Sequence, residues 1–164
     1  MYVKIINEKE NIIFTEKCEV QFMGKVFDEN SILLNEKFDD KIAAIKKAGQ
    51  MLLDRGCVDP EYIDAMIERD EKVSVYIGNG VAIPHGVAGS EKYIKASGVS
   101  FIQVPDGVEF GEGKKAYIVI GIAGVNDEHL DILAKLAITC SDLDKVEQLR
   151  TATSAEVVMK ILDV

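Results

Sequence analysis

The chain of 164 residues contains two histidines, and each stands where its chemistry could be used. His85 lies in Ile83-Pro84-His85-Gly86, directly after an apolar run. Pro84 has a fixed φ and biases Ile83 towards extended backbone. Gly86 carries no side chain, which allows another molecule to come close to the imidazole. The segment therefore reads as a histidine displayed at a strand end with one ring nitrogen exposed, against the plainer reading of a surface-turn histidine. His129 lies in Asn126-Asp127-Glu128-His129, the first turn of an expected helix, and shares a face with Leu133 and Leu136. That spacing points it at the sheet, where a packed structural histidine is the competing explanation. Arg69 ends an expected helix shortly before the run leading to His85, so its planar guanidinium could offer phosphate oxygens a fork at the same mouth. Arg55 fits as a partner for a helix C-terminus, and Arg150 as an exposed helix residue.

Other chemistries lack their signatures. No phosphate loop of the form GxxxxGK[ST], no HExxH and no GxSxG occurs, and GNGVAI at Gly78–Ile83 lacks the third glycine of a dinucleotide fingerprint. A metal site built on His85 and His129 would need a third ligand that the sequence does not offer.

The elements that must hold these residues can be read from periodicity. Phe38-Asp39-Asp40 opens a helical stretch with Ile42, Ile45, Leu52 and Leu53 near one face, ending at Gly56 as its C′ residue. Asp59-Pro60-Glu61 starts a second helix, with Asp59 as N-cap candidate and Tyr62, Ile63, Met66 and Ile67 on its apolar face, running out at Glu68-Arg69-Asp70. Residues 73–77, 81–83, 98–104 and 116–122 are short runs rich in Val, Ile, Phe and Tyr and are expected strands. Asn126 is the cap candidate for the helix of His129, Leu133, Leu136 and Cys140. Helices over 141–150 and 153–162 follow, the last with Thr153 and Glu156 in capping-box spacing. Ahead of all these, residues 2–6, 12–15 and 20–27 look like short β segments. The fold class expected is an α/β (α+β) sandwich: one mixed sheet of about five strands flanked by helices, plus a short β-rich N-terminal extension. The domains expected are residues 1–30 as extension or linker, with a seam near Asp28–Ser31, and residues 31–164 as the main unit.

Composition narrows the function. Nineteen Lys and Arg against 28 Asp and Glu leave a net charge of −9, and the first 27 residues are balanced, so the excess lies downstream. No basic stripe is available for a nucleic-acid backbone. Cys18, Cys57 and Cys140 are odd in number and widely spaced, which suits a reducing compartment rather than a disulfide framework. Residues 73–90 carry no charged side chain, but their glycines and Pro84 read as strand and turn, not as a membrane span. A cytoplasmic protein is expected.

Three ordered blocks carry a resemblance. RDEKVSVYIGNGVAIPHG at Arg69–Gly86 and VIGIAGVNDEHLDILAKL at Val119–Leu136 resemble the two histidine-bearing segments of enzyme IIA domains of the bacterial phosphoenolpyruvate-dependent sugar phosphotransferase system, mannitol/fructose class. VPDGVEFG at Val104–Gly111 and the spelling YIGNG look most like the mannitol branch. The resemblance covers about Ser31–Val164; residues 1–27 have no counterpart in it. It implies that His85 accepts a phosphoryl group from the phosphohistidine of HPr and passes it to a cysteine of the mannitol-specific enzyme IIB. His129 and Arg69 match the family's supporting histidine and arginine, and no cofactor is implied. An acidic carrier would steer towards a basic HPr surface. Two other classes stay open from sequence: a regulatory module whose His85 phosphorylation state controls a partner protein, and, more remotely, a hydrolytic or metal-dependent enzyme using both histidines.

Overall fold

The computed structural model describes residues 26–163. The expected β segments at 2–6 and 12–15, most of the run 20–27, and Cys18 lie outside the described residues. Five strands form one mixed sheet: β1 (Ile32–Leu33), β2 (Tyr76–Gly78), β3 (Val81–Ala82), β4 (Gly98–Glu109) and β5 (Lys115–Ala123). The spatial order is β1-β4-β5-β3-β2, with β1 parallel to β4 and β3 parallel to β5, the other neighbours being antiparallel. Helices α1 (Lys41–Asp54) and α2 (Glu61–Lys72) lie towards one face, and α3 (Glu128–Ser141), α4 (Leu143–Arg150) and α5 (Ala155–Leu162) towards the other.

The period of two along the central strands builds both cores. Ile118, Ile120 and Ile122 of β5 join Val99 and Phe101 against Leu136, Cys140, Leu149 and Val158. The alternate residues Val119 and Ala123, with Ile102 and Val104, meet Ala44, Ile45, Ala48, Leu52 and Met66. On α1 the buried stripe is centred on small residues, Ala44, Ala48 and Gly49, with Ile45, Met51 and Leu52; Ile42 and Leu53 sit at its margins. Asp40 caps α1 through the Ala43 N–H at 2.8 Å, and Gly56 follows its end at φ 74°, the left-handed conformation expected of a C′ glycine. A buried glutamine on β4, Gln103, closes α4: its amide nitrogen donates to the carbonyls of Leu149, Arg150 and Ala152, each at 3.0 Å. Those are carbonyls that a helix end leaves without intrahelical partners.

Several boundaries differ from the periodicity reading. β4 continues to Glu109 through an irregularity between Gln103 and Val108, where Pro105 has no N–H to give and Gly107 takes φ 74°. The strand expected from Val73 begins at Tyr76, because α2 runs on to Lys72 and the Val73 N–H still bonds the Arg69 carbonyl. Asp59 is not a side-chain cap; its carboxylate pairs with Lys95 at 2.8 Å while Pro60 opens the helix. Asp127, not Asn126, immediately precedes α3, with both residues left-handed at φ 51° and 65°. Ser154, not Thr153, caps α5. Phe27 is buried in the core and outside the sheet, and the residues after it form a 3-10 turn (Glu29–Ser31) capped by Asp28, with Ser31 buried. Arg55 reaches beyond its helix to the Val26 carbonyl at 3.1 Å and towards Asp28 at 3.4 Å, fastening that turn. Arg150 is half-buried and stacks on the Tyr117 ring at 3.8 Å from its centroid.

Candidate active site

Parallel pairing of β3 with β5 brings their C-terminal ends side by side, and each end leads into one of the histidines. Ligands in mixed α/β sheets gather outside such strand ends. The chain leaving β3 is held on both sides: the Ile83 N–H donates to the Val75 carbonyl at 2.9 Å, and the Ile122 N–H to the Pro84 carbonyl at 3.0 Å. His85 follows at once, half-buried, with ring Nδ1 at 2.8 Å from the Ile83 carbonyl. A carbonyl accepts and cannot donate, so Nδ1 carries the proton in the neutral ring. Nε2 is left with its lone pair available.

The Ile83 carbonyl is open to the imidazole for a traceable reason. Continuing the antiparallel register of Tyr76 with Ala82 sets Val75 opposite Ile83, and a regular pair would exchange two bonds. The Val75 N–H instead donates to Asp70 Oδ1 at 3.0 Å. Asp70, buried at the end of α2, has its other oxygen 2.6 Å from the Lys41 ammonium.

Burial is the largest influence on the His85 ring and holds its pKa below the ordinary 6.5. The bond to Ile83 works against that lowering, while electrostatic interaction with Arg69, and less with His129, adds to it. The two residues that spacing nominated thus act on His85 through space. Arg69 sits in the last turn of α2, where its Nη1 donates to the Val73 carbonyl at 2.6 Å. His129 is the second residue of α3, half-buried. The start of α3 is pressed against the end of β5: a Cβ on Gly124 would fall within 2.8 Å of the His129 Cβ, 2.7 Å of its Cα, and closer still to its N. Only glycine fits there. Buried Ser97 ties the same loop, accepting the Val125 N–H at 3.1 Å and donating to the Glu128 carboxylate.

Gly86 also meets a close approach from within the protein. On the side a Cβ would occupy, the close approach is made by the protein itself: the Tyr62 ring and the Ser90 hydroxyl fill that space. Tyr62 is buried under the loop, accepts the Gly86 N–H at 2.9 Å and donates to the Ile122 carbonyl at 2.9 Å. Burial pushes its phenol up to about 12, so it stays protonated and able to donate at neutral pH. Periodicity counted Tyr62 only as an apolar face residue; a buried phenol needs a partner for its hydroxyl, and that requirement was the available signal. Ser97, Asp70 and Gly124 carried no distinguishing signal in the sequence.

The remaining nucleophile candidates among the described residues are Cys57 and Cys140, both buried free thiols. Burial raises both, Cys140 to about 11, so neither offers a thiolate at neutral pH. Among the described residues no three His, Cys, Asp or Glu side chains gather as a metal site, and no helix is long and apolar enough to cross a membrane.

The sequence and the fold are similar to those of known proteins. Residues 25–164 match the family described as Phosphoenolpyruvate-dependent sugar phosphotransferase system, EIIA 2. The mannitol-specific phosphotransferase enzyme IIA component of Geobacillus stearothermophilus is 44% identical over 138 residues, 84% of this chain and 95% of that protein. Its Enterococcus faecalis counterpart is 50% identical over 129 residues, 77% of this chain and 89% of that protein. The crystal structure of enzyme IIA mannitol from Escherichia coli superposes with a TM-score of 0.78 at 36% identity, covering 83% of this chain and 98% of that one. The same enzyme IIA in its complex with phosphorylated enzyme IIB gives a TM-score of 0.80 at 35% identity, over 84% of this chain and 96% of that one. The chain belongs to the enzyme IIA type 2 family of the phosphoenolpyruvate-dependent sugar phosphotransferase system.

Proposed function

We propose that the chain is a phosphoryl carrier for mannitol uptake, with His85 as the residue that takes the group from phospho-HPr and gives it to a cysteine of the mannitol-specific enzyme IIB. The observation that carries this reading is the ring geometry: Nδ1 is bonded to the Ile83 carbonyl at 2.8 Å, which leaves Nε2 as the available nucleophile of a ring that Arg69 and His129 influence electrostatically. The mannitol names of the relatives support the sugar, and the Escherichia coli complex supports the acceptor.

The transfer balances simply. The Nε2 lone pair attacks phosphorus, a new N–P bond forms, and the N–P bond of the donor breaks with its electron pair returning to the donor ring. The Ile83 carbonyl stabilises the positive charge that develops on the His85 ring, and Nδ1 keeps its proton. Arg69 and His129 supply positive or donor groups to the phosphoryl oxygens, where positioning and charge matter more than proton transfer. A cysteine thiolate on the acceptor then attacks phosphorus, and the His85–phosphorus bond breaks. Among the described residues Cys57 and Cys140 are buried and held protonated, so neither serves as that acceptor, in keeping with a cysteine supplied by enzyme IIB.

The same proposal places the carrier in the cytoplasm and treats residues 31–164 as the domain proper. Residues 1–30 are then an extension or linker whose end, from Phe27, packs onto that domain, and the family match begins at residue 25. Incubating the phosphorylated chain with mannitol-specific enzyme IIB and weighing both proteins tests the assignment. Loss of the phosphoryl group from this chain with gain on the enzyme IIB cysteine is expected. Retention by this chain would favour the regulatory alternative.

A further inference from the structure

The hydrogen bonds around His85 follow a parallel ladder that one side chain interrupts. β3 and β5 pair Val81 with Ile118 and Ala82 with Val119, and the same register carried forward sets His85 opposite Ile122. A parallel rung there consists of two bonds: Ile122 N–H to the Pro84 carbonyl, and Gly86 N–H to the Ile122 carbonyl. The first is made, at 3.0 Å. The second runs through Tyr62, whose hydroxyl accepts from Gly86 and donates to Ile122, each at 2.9 Å. The phenol oxygen therefore stands between two strands where a direct bond belongs.

Tyr62 is rooted in α2 and buried, so the inserted oxygen is fixed by the scaffold rather than by the loop. Its ring also packs where a Gly86 Cβ would be, 3.0 Å from Cζ and closer to Cε2. We propose that Tyr62 is a positioning residue for phosphoryl transfer: its hydroxyl wedges Gly86 away from β5 just after His85, so the imidazole turns back onto the Ile83 carbonyl and presents Nε2. This rests on the reading of His85 as the phosphoryl acceptor. Without the wedge, the Gly86 N–H and Ile122 carbonyl would bond directly and His85 would become an ordinary strand residue. Its side chain would then stand perpendicular to the sheet, away from the in-plane Ile83 carbonyl.

Tyr62→Phe removes the oxygen and keeps the ring. Two readouts are taken on the folded variant: single-turnover acceptance from phospho-HPr, and the ring 15N shifts of His85 and His129 before phosphorylation. Acceptance is expected to slow about tenfold or more, as misplacement of a reacting atom does. The His85 nitrogens should move from the Nδ1–H form towards a tautomer mixture while those of His129 stay put. A wild-type acceptance rate with wild-type His85 shifts would overturn the proposal. Exchange of the Gly86 amide proton in the wild type is a second measurement that needs no variant: protection is expected, and exchange as fast as at exposed Ala88 would overturn the wedge. If the wild type takes up no phosphoryl group the carrier reading falls, and the ring shifts still decide on Tyr62.

Discussion

Replacing Gly124 by alanine puts a methyl group where the first turn of α3 already passes. The added carbon would lie 2.7 Å from the His129 Cα, 2.8 Å from its Cβ and closer still to its N. These atoms belong to the backbone and to Cβ, so no side-chain rotation relieves the contact. Reaching ordinary van der Waals separation requires the end of β5 and the start of α3 to part by about 1 Å. Overpacking of that kind costs about 1–3 kcal/mol of stability. A shift of about 1 Å in a group that contacts the transferring phosphoryl lowers the rate by up to about a hundredfold. Gly49→Ala is the comparison: its Cβ would meet the Ile63 Cγ1 at 2.8 Å and the buried Met66 Sδ at 3.0 Å, so it also overpacks, but between α1 and α2 and without displacing the backbone that carries His129. Urea unfolding and single-turnover acceptance from phospho-HPr, run on both variants, separate the terms. Gly124→Ala should lose both stability and rate, and Gly49→Ala should stay near wild type in rate. A Gly124→Ala protein that is destabilised yet transfers at the wild-type rate would refute a role for His129 in the reaction.

Three further predictions concern charge. Acceptance requires the unprotonated ring, so its rate should rise with pH to a plateau with a midpoint below 6.5, because burial, Arg69 and His129 hold the His85 pKa down; a midpoint above 6.5 contradicts this electrostatic account. The same lowering means that the unfolded chain binds a proton more readily, so His85 subtracts stability as pH falls below 6.5, and His85→Gln should flatten that part of an unfolding-versus-pH curve. Arg69→Gln removes one of the charges: the His85 midpoint, followed by ring NMR, should move up towards 6.5 and acceptance at neutral pH should slow about tenfold. An unmoved midpoint would take Arg69 out of the site.

The central strands were readable because the runs over 98–104 and 116–122 are rich in Val, Ile, Phe and Tyr, residues that prove to be buried on both faces of the sheet. The display of His85 was readable too, since Pro84 and Gly86 act on the local backbone. What lay beyond the sequence depends on contacts distant along the chain. Gln103 is a polar residue inside an apolar run, and nothing nearby shows that it closes the end of α4 some 46 residues away. Gly86 looked like an opening for a partner, yet its empty side is filled by Tyr62, 24 residues earlier. Asp70 looked like the solvated end of a helix, but burial and Lys41 make it the acceptor that frees the Ile83 carbonyl. Helix starts shifted by one residue at α3 and α5, where adjacent Asn-Asp and Thr-Ser pairs offer equivalent caps.

The most direct test of the account is which atom becomes phosphorylated. The wild type and His85→Ala are incubated with phosphoenolpyruvate, enzyme I and HPr, then compared by intact mass and by 15N and 31P NMR of the phosphohistidine. One acid-labile phosphoryl group is expected on the wild type, attached at Nε2 of His85, and none on the variant. Phosphorylation of His85→Ala, or attachment at Nδ1 of the wild type, would contradict it.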